Sequence, residues 1–162
     1  MEFLGIGVDL VRIPRLREVV QRWQDRFLRR VFTEAELDYC LERRDPIPHL
    51  AARFAAKEAA LKALGTGLRM GINWRELEIR RERDEAPQMV LTGRCREIGE
   101  AKGARQLLLS ITHDGDYAVA QAVLVGEPKR SGRASRGGRP ASRRGRTRHT
   151  RPAPAKPPLW KR

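Results

Sequence analysis

Two carboxylates stand where apolar side chains are expected, and they define the chemistry this chain can attempt. Asp9 lies in the apolar run 3–11, where Ile6, Val8 and Leu10 share one face and Gly5, Gly7 and Asp9 the other. Burying a carboxylate there is unfavourable without a cation or hydrogen-bond donors, and the glycines leave room for a ligand to approach. The plainer account is an exposed aspartate on an edge strand, or one paired with an arginine. Glu58 follows Phe54 by four residues, on the stripe marked by Leu50, Phe54, Leu61 and Gly65, and is expected to be partly buried. Lys62 comes four residues later, so the plainer account here is a helix pair worth about 0.3–0.5 kcal/mol. Two carboxylates from separate elements suit Mg²⁺, which takes one or two of them and completes its shell with substrate phosphates and water. Arg53, Lys57 and Lys62 on the same helix could neutralise those phosphates. The combination points to metal-assisted phosphoryl transfer, in which positioning and charge stabilisation supply most of the catalysis.

His113 ends an apolar segment after Ser110 and Thr112, where side chains emerge at the rim of a sheet; a single turn histidine is more often incidental than catalytic. Cys40 and Cys95 stand apart without metal-ligand spacing, and the chain has neither a Walker loop nor a nucleophile elbow. Zinc and serine-hydrolase chemistry are therefore unsupported.

The elements that must position these groups follow from periodicity. The run 3–11 predicts a strand, and Pro14 suits the first turn of a helix whose apolar face is Leu16, Val19, Val20, Trp23 and Phe27. Arg15, Arg22, Arg26 and Arg29 form one stripe about 100° from that face. Thr33-Glu34-Ala35-Glu36 fits a capping box opening a short helix that must end before Pro46 and Pro48. An alanine-rich helix over 50–64 stops at Gly65 and Gly67. Strands over 77–81 and 88–92, a helix near 94–102, and strands over 107–112 and 117–125 joined as a hairpin complete an α+β domain.

The net charge is +14, yet residues 1–126 carry 21 basic and 19 acidic side chains, whereas residues 127–162 carry 13 and one. The folded part is thus nearly neutral, which argues against a basic nucleic-acid-binding fold. Residues 127–162, built from Arg, Pro, Gly, Ser, Ala and Lys, lack the aliphatic surface to offset ordering entropy and are expected to be a disordered basic tail. Such a tail is either a polyanion-binding arm or a solvated extension. The longest apolar stretch, 117–125, is far short of the roughly 20 residues that span a bilayer. With no basic n-region before an apolar segment at the start, a cytoplasmic location without disulfides is expected.

The segments GIGVDLVRI at 5–13, FTEAEL at 32–37, RFAAKEAALKALGTG at 53–67 and SITHDGDYAVAQAVL at 110–124 resemble, in order and spacing, the bacterial holo-acyl-carrier-protein synthases. The resemblance spans about residues 3–125. It implies the 4′-phosphopantetheinyl transferase fold, a small, mostly antiparallel sheet packed with helices. It also implies transfer of the phosphopantetheine arm of coenzyme A to a serine of apo-acyl carrier protein for fatty acid synthesis, releasing adenosine 3′,5′-bisphosphate. By the same resemblance Asp9 and Glu58 hold Mg²⁺ against the coenzyme A pyrophosphate. Lys62 neutralises phosphate charge or helps activate the serine, and either Glu58 or a metal-bound water takes the proton. Arg53, Lys62, Gly65 and Thr66 match coenzyme A-binding positions, and His113 keeps a family histidine among the catalytic candidates. Thr112 stands where many members have serine.

Because carrier proteins are acidic, the resemblance turns Arg15, Arg22, Arg26 and Arg29 into a candidate docking face, the alternative being a solvated helix surface. It further implies a homotrimer with active sites between subunits. The basic tail departs from the family and is expected to bind nucleic acid only nonspecifically. Two other readings stay open: a polyanion- or nucleic-acid-binding protein acting through the tail, and a transferase serving polyketide or nonribosomal peptide carrier domains.

Overall fold

The computed structural model describes residues 1–81 and 85–127. β1 (Glu2–Arg12) leads into α1 (Ile13–Val31), α2 (Glu34–Leu41) and α3 (Pro46–Leu64). A short hairpin of β2 (Leu77–Arg80) and β3 (Gln88–Leu91) follows, then α4 (Gly93–Ala101) and the long hairpin of β4 (Ala104–Asp114) and β5 (Tyr117–Gly126). One antiparallel sheet runs β1-β5-β4 and the other pairs β2 with β3. The expected α+β class is the observed one. The tail, from residue 128 on, lies outside the described residues, and among those described no helix is long and apolar enough to cross a membrane.

α3 is the central element, lying across β1 and β5. Its alanines Ala55, Ala56, Ala59, Ala60 and Ala63 are buried with Leu77, Met89, Leu91, Leu107 and Leu124. Small side chains on the helix meet missing ones on the strand: a Cβ on Gly5 would sit 2.2 Å from Ala63 O, and one on Gly7 1.9 Å from Ala59 O. The space over Gly5 and Gly7 is therefore filled by helix backbone rather than left for a ligand. The opposite face of β1 points outward, with Ile6, Val8 and Leu10 exposed by 53%, 58% and 60%.

Two helix boundaries differ from the periodicity. α3 starts at Pro46, four residues earlier than expected, because both prolines fall in its first turn, where a missing N–H leaves no acceptor unsatisfied. Asp45 caps that turn by accepting from Ile47 N at 3.2 Å. α1 is not continuous: Gln24 adopts φ 42° and ψ −131°, breaking the helix between Trp23 and Asp25. The capping box of α2 forms as expected, Glu36 N donating to Thr33 Oγ1 and Thr33 N to Glu36 Oε2. A two-residue turn with Gly115 at φ 53° closes the last hairpin.

Candidate active site

Register and helix phase bring Asp9, Glu58 and Lys62 together. Asp9 leaves β1 on the side facing α3, and Lys62 Nζ donates to Asp9 Oδ1 at 2.8 Å and to Val8 O at 2.9 Å. Glu58 stands one turn earlier on α3, partly buried. Burial raises its pKa above the ordinary value, the Asp9 charge raises it further, and Lys62 works against both. Asp9 and Glu58 both line a cavity of about 550 Å³ whose other walls include Arg12, Arg15, Leu16 and Phe54. The carboxylates lie among cationic and apolar walls, a setting that focuses the field on charged ligands.

Arg53 and His113 belong elsewhere. They line a second cavity of about 320 Å³ with Tyr39, His49 and Thr112. Five residues separate Arg53 from Glu58, turning the two side chains about 140° apart around α3. The Arg53 guanidinium lies 4.0 Å from the Tyr39 ring centroid, and its buried Nε has no hydrogen-bond partner among the described residues. The His49 and His113 rings meet edge to face at 5.3 Å. Burial, then the neighbouring His113, Arg43 and Arg53 charges, lower the His49 pKa. An arginine with a free buried donor beside two histidines makes this cavity receptive to an anion.

Gly65 and Thr66 finish α3 past Lys62. Gly65 caps the helix at φ 72°, Thr66 N donates to Leu61 O at 3.2 Å, and Thr66 Oγ1 is buried without a partner among the described residues. On α1 the break at Gln24 splits the arginine stripe. Arg22 and Arg26 both stack on Trp23, at 5.3 and 5.8 Å, whereas Arg29 pairs with Glu34 at 3.1 Å. Arg15 lines the larger cavity.

Lys57 does not reach any phosphate position, contrary to expectation. It is fully buried, donating to Val31 O at 2.8 Å and Trp74 O at 3.2 Å and pairing with Glu36 Oε2 at 2.7 Å. A lysine spaced between alanines on a core helix was the signal for burial. His49 and Tyr39 were not singled out in the sequence at all, because their relation to His113 exists only after β4 is set beside α3. Cys40 and Cys95 are buried, and burial pushes the Cys40 thiol up to about 11 and the Cys95 thiol up to about 12, which disfavours the reactive thiolate.

Comparison with known proteins agrees in extent with the folded region. A sequence model of the 4′-phosphopantetheinyl transferase superfamily matches residues 5–122. A holo-[acyl-carrier-protein] synthase of Syntrophotalea carbinolica is 50% identical over 122 residues, covering 75% of this chain and 95% of the relative. The crystal structure of such a synthase from Neisseria meningitidis matches at a TM-score of 0.71 and 30% identity, over 76% of this chain and 99% of the other. The Helicobacter pylori synthase in complex with coenzyme A matches at 0.66 and 30%, over 74% and 99%.

Proposed function

This chain belongs to the 4′-phosphopantetheinyl transferase superfamily, and we propose that its Asp9–Glu58–Lys62 cluster is where the reaction of that family takes place. The reaction is transfer of 4′-phosphopantetheine from coenzyme A to a serine of apo-acyl carrier protein, giving holo-acyl carrier protein for fatty acid synthesis. The observation that carries the assignment is the convergence of two carboxylates and a lysine, from β1 and α3, beside one cavity.

The residues fit Mg²⁺. Asp9 and Glu58 line one cavity, and the Asp9 charge contributes to raising the Glu58 pKa. A two-carboxylate site leaves the remaining coordination to phosphate and water, as Mg²⁺ prefers. Held by Asp9 and Glu58, the ion would supply positive charge at the coenzyme A pyrophosphate. Lys62, which in the free protein donates to Asp9 and Val8 O, would turn to the same phosphate oxygens. The serine oxygen bonds to the phosphorus that carries the pantetheine arm, the bridging P–O bond breaks, and its electron pair leaves with adenosine 3′,5′-bisphosphate. Glu58, or a water hydrogen-bonded to it, takes the serine proton, and its raised pKa favours that role. Arg53 and His113 bind a second anionic group of coenzyme A in the smaller cavity, and Gly65 and Thr66 line its path.

The two cavities lie on different sides of α3, so a coenzyme A that used both sets of residues would be shared between two chains. The outward apolar face of Ile6, Val8 and Leu10 supports a homotrimer that would cover it. Arg15, Arg22, Arg26 and Arg29 receive the acidic carrier. Residues 1–126 are the transferase unit and 127–162 an accessory basic segment with nonspecific affinity for nucleic acid. Two buried, unpaired cysteines support a cytoplasmic location.

The test is intact-mass spectrometry of apo-acyl carrier protein incubated with this protein, coenzyme A and Mg²⁺, beside an EDTA control. A phosphopantetheine mass gain that EDTA abolishes is expected. No gain from folded protein offered several carriers would sink the assignment.

A further inference from the structure

Before any ligand arrives, the ammonium of Lys62 already has a place. It donates to Asp9 Oδ1 at 2.8 Å and to Val8 O at 2.9 Å, and it pairs with Asp9 rather than with Glu58 on its own helix. Its stem is equally committed: a Cβ on Gly7 would stand 2.8 Å from Lys62 Cβ, so the missing side chain of Gly7 is what lets the lysine lie against β1. The pair is half in water, the Asp9 side chain being 17% exposed and that of Lys62 50%, so it is exchangeable rather than locked.

We infer that Lys62 is a built-in counter-ion occupying Asp9, displaced when a divalent cation binds, so that cation uptake and release of the lysine toward phosphate are one exchange. This rests on the metal and phosphate roles proposed above. A divalent charge shared by Asp9 and Glu58 neutralises both carboxylates and so removes the attraction that holds Lys62. The four-carbon stem can then carry the ammonium to phosphate oxygens without backbone movement. Reciprocity follows: a ligand that draws Lys62 away from Asp9 tightens the cation by the same factor by which the cation tightens that ligand. The free protein therefore binds the cation weakly, and a phosphate-bearing substrate and the cation reinforce one another through one side chain.

The test titrates Mn²⁺ into metal-free, full-length protein, follows the free ion by electron paramagnetic resonance, and repeats the titration with Mg²⁺ as competitor. Lys62→Met keeps the stem over Gly7 and deletes the charge; it should bind Mn²⁺ about fivefold more tightly than the unaltered protein. Arg15→Met removes a charge from the wall of the same cavity and should stay within roughly twofold, because a solvent-facing charge is screened. Equal affinity in Lys62→Met and the unaltered protein would overturn the exchange. So would equal tightening by Arg15→Met, which would make the effect one of general field. Absence of Mn²⁺ binding by Lys62→Met overturns it as well. EDTA sensitivity of transfer by the unaltered protein then tells whether the metal assignment falls too.

Discussion

Lys57 Nζ lies 2.7 Å from Glu36 Oε2 with neither side chain exposed to solvent, and through this pair α3 is tied to α2. Glu36 is saturated: Oε2 also accepts from Thr33 N, and Oε1 accepts from Ile79 N at 3.0 Å. Lys57 spends its other donors on the carbonyls of Val31 and Trp74. Five segments thus meet at one charge pair directly beside Glu58 in sequence, which fixes the phase with which α3 presents Glu58 to Asp9.

Removing one partner of that pair leaves a buried charge uncompensated. Glu36→Gln or Lys57→Met should each lower unfolding free energy by about 3–5 kcal/mol in urea denaturation. The double variant should lose less than the sum, since neither charge is then stranded. Additive losses would show that the pair is not coupled.

Glu58 contributes a pH dependence of predictable sign. Its folded pKa is raised, chiefly by burial, so the folded protein holds the proton more tightly than the unfolded chain. Stability from this group is fully present below the unfolded value and is lost as pH rises through the folded one. Glu58→Gln, which cannot ionise, should therefore melt higher than the unaltered protein at pH 7 in EDTA, with the gap closing toward pH 4. Transfer activity should fall to background at the same time. A gap that widens on acidification would contradict the environment described for Glu58.

Asp9 and Glu58 stood out as candidates in the sequence because Asp9 interrupts an apolar run and Glu58 an apolar helix stripe, and a polar residue in such a place is informative by itself. The fate of Lys57 was not, because its partners lie on three other elements, 17 to 26 positions away. The orientation of β1 was equally hidden. Alternation shows that Ile6, Val8 and Leu10 share a face, but which face meets the core depends on how closely the alanines of α3 approach Gly5 and Gly7. His49 and His113 meet across 64 positions, a relation no local rule reports.

The break in α1 was likewise invisible, since Leu16, Val19, Val20, Trp23 and Phe27 fit one helix. At φ 42° and ψ −131°, Gln24 occupies a region that side chains disfavour by about 1–3 kcal/mol. Gln24→Gly should relieve that strain and raise stability by about 1 kcal/mol after its own entropy loss. Gln21→Gly, in the regular part of the same helix, should instead lower stability by about 1 kcal/mol. Equal losses at both positions would show that Gln24 is not strained.

Because of that break, the four arginines are not equivalent. Trp23 carries both Arg22 and Arg26 on its ring, presenting two guanidinium groups from either side of Gln24, while Arg29 is already engaged with Glu34. Exposed charges steer encounter and weaken with salt, whereas they contribute little once screened. Arg22→Glu and Arg26→Glu should each raise the apparent KM for acyl carrier protein by about fivefold at low salt, equivalent to about 1 kcal/mol, and leave the KM for coenzyme A unchanged. Arg29→Ala should have a smaller effect, since its charge is partly neutralised in place. Trp23→Ala should reproduce part of the loss by freeing both guanidinium groups. Steady-state kinetics with the carrier varied at two ionic strengths decides the matter: an unchanged carrier KM in Arg22→Glu and Arg26→Glu would remove this face of α1 from carrier recognition.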